Sequence, residues 1–341
     1  MKIRRHSINY NFIGDTETGL TFRWGRYFEN NPSCAPWPEL ADISISNHCS
    51  KGCSYCYRDS KPNRSFINIS NYEFILKQLK HPKWNNVFQI AIGGGEPTEH
   101  PDFAEILALT KKYQIIPNYT TNGLNLNNKI LKATKKFCGA VAMSIDMPIK
   151  HEDIKKIKLL TDYKIKTNIH VLLSDKTIDS AIAILKGKHD RKLSKLNAVV
   201  FLTYKPFGRA TKLDVLVFNE KLTKFLKLIN NPKTKIRLGF DACFVPLLLR
   251  YTKIDSKYID SCECGFFSIY IDEKMNVKPC SFTNNDKFTF NLKSFSFKEI
   301  WGKKLSNYRK LSSKSKKCIN CAMTNVCRGG CLFFPEINLC K

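Results

Sequence analysis

Cys49-Ser50-Lys51-Gly52-Cys53-Ser54-Tyr55-Cys56 decides how this chain is read. It follows the apolar, strand-like run Ala41-Asp-Ile-Ser-Ile-Ser46, and its thiols are separated by three residues and then by two. So short a loop can wrap three corners of a cubic 4Fe–4S cluster and leave the fourth iron without a protein ligand. An open iron is a place where a small molecule can bind and receive an electron. A Cys-x2-Cys pair alone would say little, because zinc sites and redox motifs share it. The full Cys-x3-Cys-x2-Cys spacing is narrower, and Tyr55 ahead of the last cysteine narrows it further.

Around this loop lie 341 residues, room for two domains or for one large domain with an appendage. Apolar content of 43% with 12% aromatic residues is ample for a packed core. No run approaches the length of apolar chain that spans a bilayer, so no membrane association is expected. The start, Met1-Lys-Ile-Arg-Arg-His-Ser7, lacks the apolar segment of a secretory signal, and a cytoplasmic location is expected. Fourteen cysteines in such a chain argue against a disulfide framework and for metal binding where they cluster. Cys34 and Cys138, outside the clusters, are expected to be plain buried thiols. The formal charge is +27, with lysines spread throughout. One segment concentrates it: Lys303, Lys304, Arg309, Lys310, Lys314, Lys316 and Lys317, with no acidic residue among them. That segment reads either as a solvated helix face and loop or as a contact for an acidic peptide or nucleic acid.

Beyond residue 40, β-branched apolar runs alternate with lysine-rich amphipathic stretches. The pattern predicts strands at 41–46, 87–92, 115–120, 140–145, 166–172 and 198–203. Helices are predicted near 71–80, 102–112, 127–136, 151–162 and 177–187, with Ser70 and Asp175 as caps of the first and fifth. Six β/α units imply parallel strands joined by right-handed crossovers. The expected fold is α/β, a partial (β/α)6 TIM-type barrel, with a flat doubly wound sheet as the competing reading. Either geometry places functional residues at the carboxyl ends of the strands. The expected division is an N-terminal extension at 1–40, the barrel at 41–240, and a cysteine-rich iron–sulfur domain at 241–341, where nine of the fourteen cysteines fall.

Gly93-Gly94-Gly95-Glu96-Pro97 follows directly on the second strand. Glycines there let the backbone approach a ligand closely, although the stretch alone is only a turn. Beside the three-cysteine loop it resembles the corresponding motif of the radical S-adenosylmethionine (radical SAM) enzymes. The resemblance implies that Cys49, Cys53 and Cys56 hold a cluster. It also implies that Tyr55, Gly94, Gly95, Glu96 and Pro97 line the cofactor, the glycine motif gripping its methionine amino group. By position at strand ends, Thr121, Asn122, Ser144, Asp146 and Asn168 are the candidates for further cofactor contacts, the last three for ribose and carboxylate. His170, within an apolar strand, reads as a core histidine. Tyr204-Lys-Pro-Phe-Gly208-Arg209 is like the family's last adenine-side loop, where Arg209 pairs a carboxylate or makes a structural salt bridge. The implied chemistry is reductive cleavage of the sulfonium to a 5′-deoxyadenosyl radical, which takes a hydrogen atom from the substrate.

Cys318-x2-Cys321-x5-Cys327-x3-Cys331 and Cys340 form a second array, with Cys243, Cys262, Cys264 and Cys280 upstream. Two such pairs could make a structural zinc site. With Val277-Lys-Pro-Cys280, Glu299-Ile-Trp301 and Arg328-Gly-Gly-Cys331, the layout is similar to the SPASM domain of radical SAM peptide-modifying enzymes. That similarity implies two auxiliary 4Fe–4S clusters, three clusters in all. Cys318, Cys321, Cys327 and Cys340 would hold the distal one, and Cys280 and Cys331 the proximal one with two upstream thiols. Cys243 and Cys262 are favoured as those two, with Cys264 spare, because alternate residues of an extended segment point opposite ways. The chain departs from the pattern in the single residue between Cys262 and Cys264, and in Met275-Asn276 where a turn glycine is common.

The resemblance implies a radical SAM/SPASM enzyme that cross-links a ribosomally made precursor peptide oxidatively, through a thioether or carbon–carbon bond. The basic surface would suit an acidic leader, and a flavodoxin or ferredoxin would supply electrons. About 40 residues before the barrel are too few for a winged leader-binding domain. The runner-up is a dehydrogenase or maturase acting on a small molecule or protein side chain. The rival from another class is a zinc-dependent nucleic-acid-binding protein.

Overall fold

The computed structural model describes residues 2–283, 285–311 and 318–340, so Lys314, Lys316 and Lys317 of the basic segment lie outside the described residues. Seven short runs, apolar for most of their length, lie side by side in chain order, all parallel: β4 (Leu40–Ser44), β5 (Gln89–Gly93), β6 (Ile116–Thr121), β7 (Val141–Ile145), β8 (Thr167–Leu173), β9 (Ala198–Thr203) and β10 (Leu238–Phe240). The stretch before them forms an antiparallel sheet of β1 (Lys2–Ser7), β2 (Tyr10–Asp15) and β3 (Thr21–Trp24). Ile3, Tyr10 and Phe12 of that sheet join the main core, and Phe12 meets Phe88 edge-on at 5.6 Å. Arg5 donates to the carbonyls of Trp37 (2.9 Å) and Asn86 (2.6 Å), so the N-terminal sheet is locked to the barrel.

Helices α1 (Ile69–Gln78), α2 (Phe103–Lys112), α3 (Asn128–Phe137), α4 (His151–Asp162), α5 (Ile178–Leu185), α6 (Asp190–Leu193) and α7 (Glu220–Ile229) fill the connections. Strand order never reverses from β4 to β10, so every right-handed crossover lays its helix on the same face. A doubly wound sheet requires a reversal. The wall curves as a partial barrel, and the alternation along β8 shows its two sides: Thr167, Ile169, Val171 and Leu173 are buried, with half-buried residues between.

The sheet then continues past β4. β11 (Ser268–Ile271) pairs with β4 in parallel, and β12 (Asn276–Lys278) and β13 (Phe290–Asn291) follow antiparallel. The cysteine-rich segment is therefore hydrogen-bonded into the barrel's own sheet. The short helix α8 (Val245–Tyr251) leads from β10 toward it.

Two cap assignments change. Asn68 caps α1 by accepting from Asn71 N at 2.8 Å, while Ser70 lies inside the helix and donates to Asn68. Thr177 precedes α5, and Asp175 instead accepts from Asn219 at 3.1 Å. Among the described residues, no helix is long and apolar enough to cross a membrane.

Candidate active site

The three-cysteine loop starts where β4 ends, and the chain leading into it lies against the end of β5. Gly95 N donates to Ser46 O (2.7 Å) and Glu96 N to His48 O (2.8 Å). A Cβ on Gly95 would stand 1.9 Å from His48 O, so a side chain there is excluded. These glycines admit the chain's own backbone just before Cys49, a packing that the sequence did not show. Glu99, one turn on, accepts from Ser50 N at 3.1 Å and lies 3.2 Å from His48 Nε2.

Arg209 grips the same loop from the far end of the barrel wall. Its Nε donates to Cys53 O (2.8 Å), its Nη1 to Ser60 O (2.8 Å) and Asp59 (3.0 Å), and its backbone N to Cys56 O (3.0 Å). A Cβ on Gly208, which sits at φ +68°, would lie 2.5 Å from Cys56 O. Of the two expected roles for Arg209, the structural ion pair is the one formed.

The polar candidates separate into those near the loop and one that is not. Glu96 is 2% exposed; its Oε1 accepts from Thr98 and from Thr121 Oγ1 (2.7 Å), and its Oε2 from Asn122 N (2.7 Å). Burial pushes its carboxyl up, and those bonds pull it back. Its carboxylate thus braces the ends of β5 and β6, with Pro97 opening the turn behind it. Asn122 Nδ2 points at Cys49 Sγ, 3.8 Å away. Tyr55 donates to Asp146, and Lys51 Nζ stands 3.0 Å from the other Asp146 oxygen. Burial opposes the ionised form of Asp146, yet these two bonds hold its pKa below the usual carboxylate range. Ser144, half-buried, lies two residues earlier on β7 and shares that face. Asn168 lies elsewhere. It is the second residue of β8, accepts from Asn197 Nδ2 at 2.7 Å, and lines a cavity of about 310 Å³ with Gln89, Asn118 and His170 at the amino ends of the strands. A strand rises about 3.3 Å per residue, which separates it from the loop by most of the barrel's height. Burial lowers His170 to about 4, partly offset by Asp241.

Nine thiols of the C-terminal half fall into two groups. Cys243 and Cys331 are neighbours, and Cys264 neighbours both Cys262 and Cys280. The charge of Cys331 reaches Cys262, which ties the five together. Separately, Cys327 feels Cys340 and Cys318, and Cys340 feels Cys318 and Cys321. Cys262 and Cys264 face the same place, against the alternation expected of them. The reason is a turn: Glu263 O accepts the N–H groups of Phe266, Phe267 and Ser268, and Gly265 sits at φ +77°. Met275 adopts φ +64° in the β11–β12 turn, the left-handed conformation that a glycine takes there without strain. Cys138 and Cys34 are both half-buried rather than buried, desolvation raises both thiols, and Cys34 Sγ lies 3.2 Å from Phe266 O.

Among the described residues, no three His, Cys, Asp or Glu side chains close to the distances of a single metal ion. The fit to a cluster rests on which thiols face one another. In the loop, Cys49 feels Cys53 and Cys53 feels Cys56, with an amide N–H on Cys49 and no fourth cysteine. That donor set fits three corners of a cube with one open. The group of five offers one thiol more than a cube takes, and the group of four offers one for each corner. Beside both the loop and the five, Tyr57 meets Phe282 ring to ring at 4.6 Å.

Three charged residues here escaped the sequence reading. Asp42, inside the barrel on β4, is pushed up to about 7 by burial, partly offset by Arg58. Lys205 follows β9 and Asp241 follows β10; their positions at strand ends were the available signal.

Residues 43–186 match the family model described as the Radical SAM superfamily. The GTP 3′,8-cyclase of Clostridium botulinum (strain Okra / Type B1) is 24% identical over 258 residues, 70% of this chain and 79% of that protein. The mycofactocin maturase MftC of Mycobacterium ulcerans is 26% identical over 117 residues, 34% of this chain and 29% of that one. Streptococcus suis SuiB bound to S-adenosylmethionine has the same fold, with a TM-score of 0.73 at 16% identity over 97% of this chain and 94% of that chain. SuiB bound to precursor peptide SuiA gives a TM-score of 0.70 at 15% identity, over 98% and 96%. Residues 43–186 therefore carry a radical SAM domain, a domain found in enzymes. The zinc-dependent nucleic-acid-binding reading falls with that finding.

Proposed function

We propose that this radical SAM enzyme modifies a ribosomally made peptide by oxidative cross-linking. The observation that supports it best is the C-terminal cysteine architecture, a group of five thiols and a group of four. It sits in a fold that follows SuiB, a protein crystallised with a precursor peptide, along 98% of the chain. In this reading Cys49, Cys53 and Cys56 hold the SAM-binding cluster, and Cys318, Cys321, Cys327 and Cys340 a distal auxiliary cluster. Cys243, Cys280, Cys331 and one of Cys262 and Cys264 hold a proximal one. When bound, these groups and SAM supply hydrogen-atom abstraction and one-electron transfer. The chain's own part is to hold the loop, through Arg209, Glu99 and the glycine turn, and to present Asn122, Tyr55 and Asp146 at the strand ends. The substrate gives up one hydrogen atom, then one electron and one proton, so the product is lighter by two hydrogens. A flavodoxin or ferredoxin supplies the reducing electron.

A small-molecule substrate is the second reading, favoured by the GTP 3′,8-cyclases among the sequence relatives. A charge of +27 suits a triphosphate as well as an acidic leader. The test is the intact mass of a short peptide encoded beside this gene, co-expressed with the protein under low oxygen in heavy water. A loss of two hydrogens supports cross-linking. One deuterium gained without oxidation points to epimerisation instead. An unchanged peptide, with SAM cleavage stimulated by GTP, moves the second reading to first place.

A further inference from the structure

A buried lysine stands beside the group of five thiols and takes no part in holding the three-cysteine loop. The Lys205 side chain is 5% exposed. Its Nζ donates to Thr203 O at 2.9 Å and to Asp241 Oδ2 at 3.0 Å, and lies 4.6 Å from the centre of the Phe282 ring. The other Asp241 oxygen accepts from Thr203 Oγ1 at 2.6 Å. Both neighbours of the lysine carry thiols. Cys243 is two residues beyond Asp241, and the backbone N–H of Phe282 donates to Cys280 Sγ at 3.5 Å. Burial opposes the ammonium, and the Asp241 carboxylate stands against it as counter-charge. A lone buried charge costs several kcal/mol and needs compensation. Asp241 supplies it as a carboxylate, with Thr203 O and the face of the Phe282 ring beside it.

We propose that Lys205 and Asp241 form a charge pair that sets the reduction potential of the proximal auxiliary cluster. The inference rests on reading the five thiols as a cluster site. A reduced cluster carries one more negative charge than the oxidised one, so a fixed cation in a low-dielectric surrounding favours the reduced form. The ammonium raises the potential, and the carboxylate moderates it. A higher potential makes a better acceptor for the electron that a substrate radical must lose. Lys205 is a positioning residue, acting through charge on the ligands of the cluster.

The experiment is a redox titration of the full-length protein, anaerobically reconstituted and followed by electron paramagnetic resonance, with iron counted in each variant. Lys205→Met is expected to keep the wild-type iron and to shift one midpoint to lower potential. Asp241→Asn, which leaves the cation and removes its counter-charge, is expected to shift the same midpoint upward. Lys205→Arg restores the wild-type value. A structural role alone would move both variants in one direction or neither, and either result overturns the proposal. If Lys205→Met does not fold, the upward shift of Asp241→Asn and the unchanged midpoint of Lys205→Arg decide it. A wild-type protein holding only about four irons, instead of about twelve, overturns the cluster reading and this inference with it.

Discussion

The two cysteine regions of this chain are built in opposite ways. The barrel loop takes its three thiols from eight consecutive residues, Cys49 to Cys56, and borrows only braces from elsewhere. The five thiols of the second region come from separate points between Cys243 and Cys331, collected by β11 seating on β4 and by the turn at Gly265. The first site is set by local spacing, the second by long-range pairing. A local site has no spare parts. An assembled one can carry redundancy, and five thiols stand where one cube would take four.

The sharpest break between them is expected from single cysteines. Cys53→Ala removes about four irons and all detectable 5′-deoxyadenosine, whereas Cys331→Ala removes about four irons and leaves SAM cleavage in place. Iron analysis and chromatography of the cleavage product read both; cleavage lost in the second variant would mean that the two regions are not separable. Next comes Gly95→Ala, whose Cβ would strike His48 O at 1.9 Å and displace the chain entering the loop. A loss of about 3 kcal/mol in denaturant unfolding is expected. Arg209→Met removes three hydrogen bonds to the loop, one of them the ion pair with Asp59, without opening a large void. It should cost about 2 kcal/mol, and cleavage should fall with the second region's iron unchanged.

A smaller effect reports on the barrel interior. His170 is neutral when folded, with its pKa lowered from the ordinary 6.5 to about 4 by burial. A base depressed in this way stabilises the fold above pH 6.5 and loses that contribution as pH falls toward 4. His170→Gln should therefore flatten the decline in unfolding free energy between pH 7 and 5.5 by about 1 kcal/mol. An unchanged slope would place the acid sensitivity elsewhere. The smallest effect tests the redundancy. Cys262→Ala and Cys264→Ala should each keep the wild-type iron, and the double variant should lose about four irons. Iron lost in one single variant would name the sole ligand and end the redundancy.

The six parallel strands were legible because buried parallel strands are continuous apolar runs; Val141–Ile145 and Ala198–Thr203 fall within the stretches read for them. Cap positions were not, since Asn68 and Ser70 are both capping residue types and only the chain's path chooses between them. What packs against Gly95 was not legible either, because a sequence shows that a side chain is missing but not what occupies its space. Asn168 was put with the loop since strand ends cannot be told apart from a run whose limits are uncertain by two or three residues.

By itself, the sequence determined the three-cysteine loop, the alternation of β/α units and the clustering of the later thiols toward the C-terminal end. These follow from short-range spacing and hydrophobic period, which are properties of neighbours along the chain. The tertiary structure alone decided that β11 extends the barrel's sheet, that Cys262 and Cys264 face one site, and that Lys205 is buried beside it. Each depends on segments far apart in sequence meeting in space, and such meetings are chosen by backbone hydrogen bonds and burial summed over the whole fold.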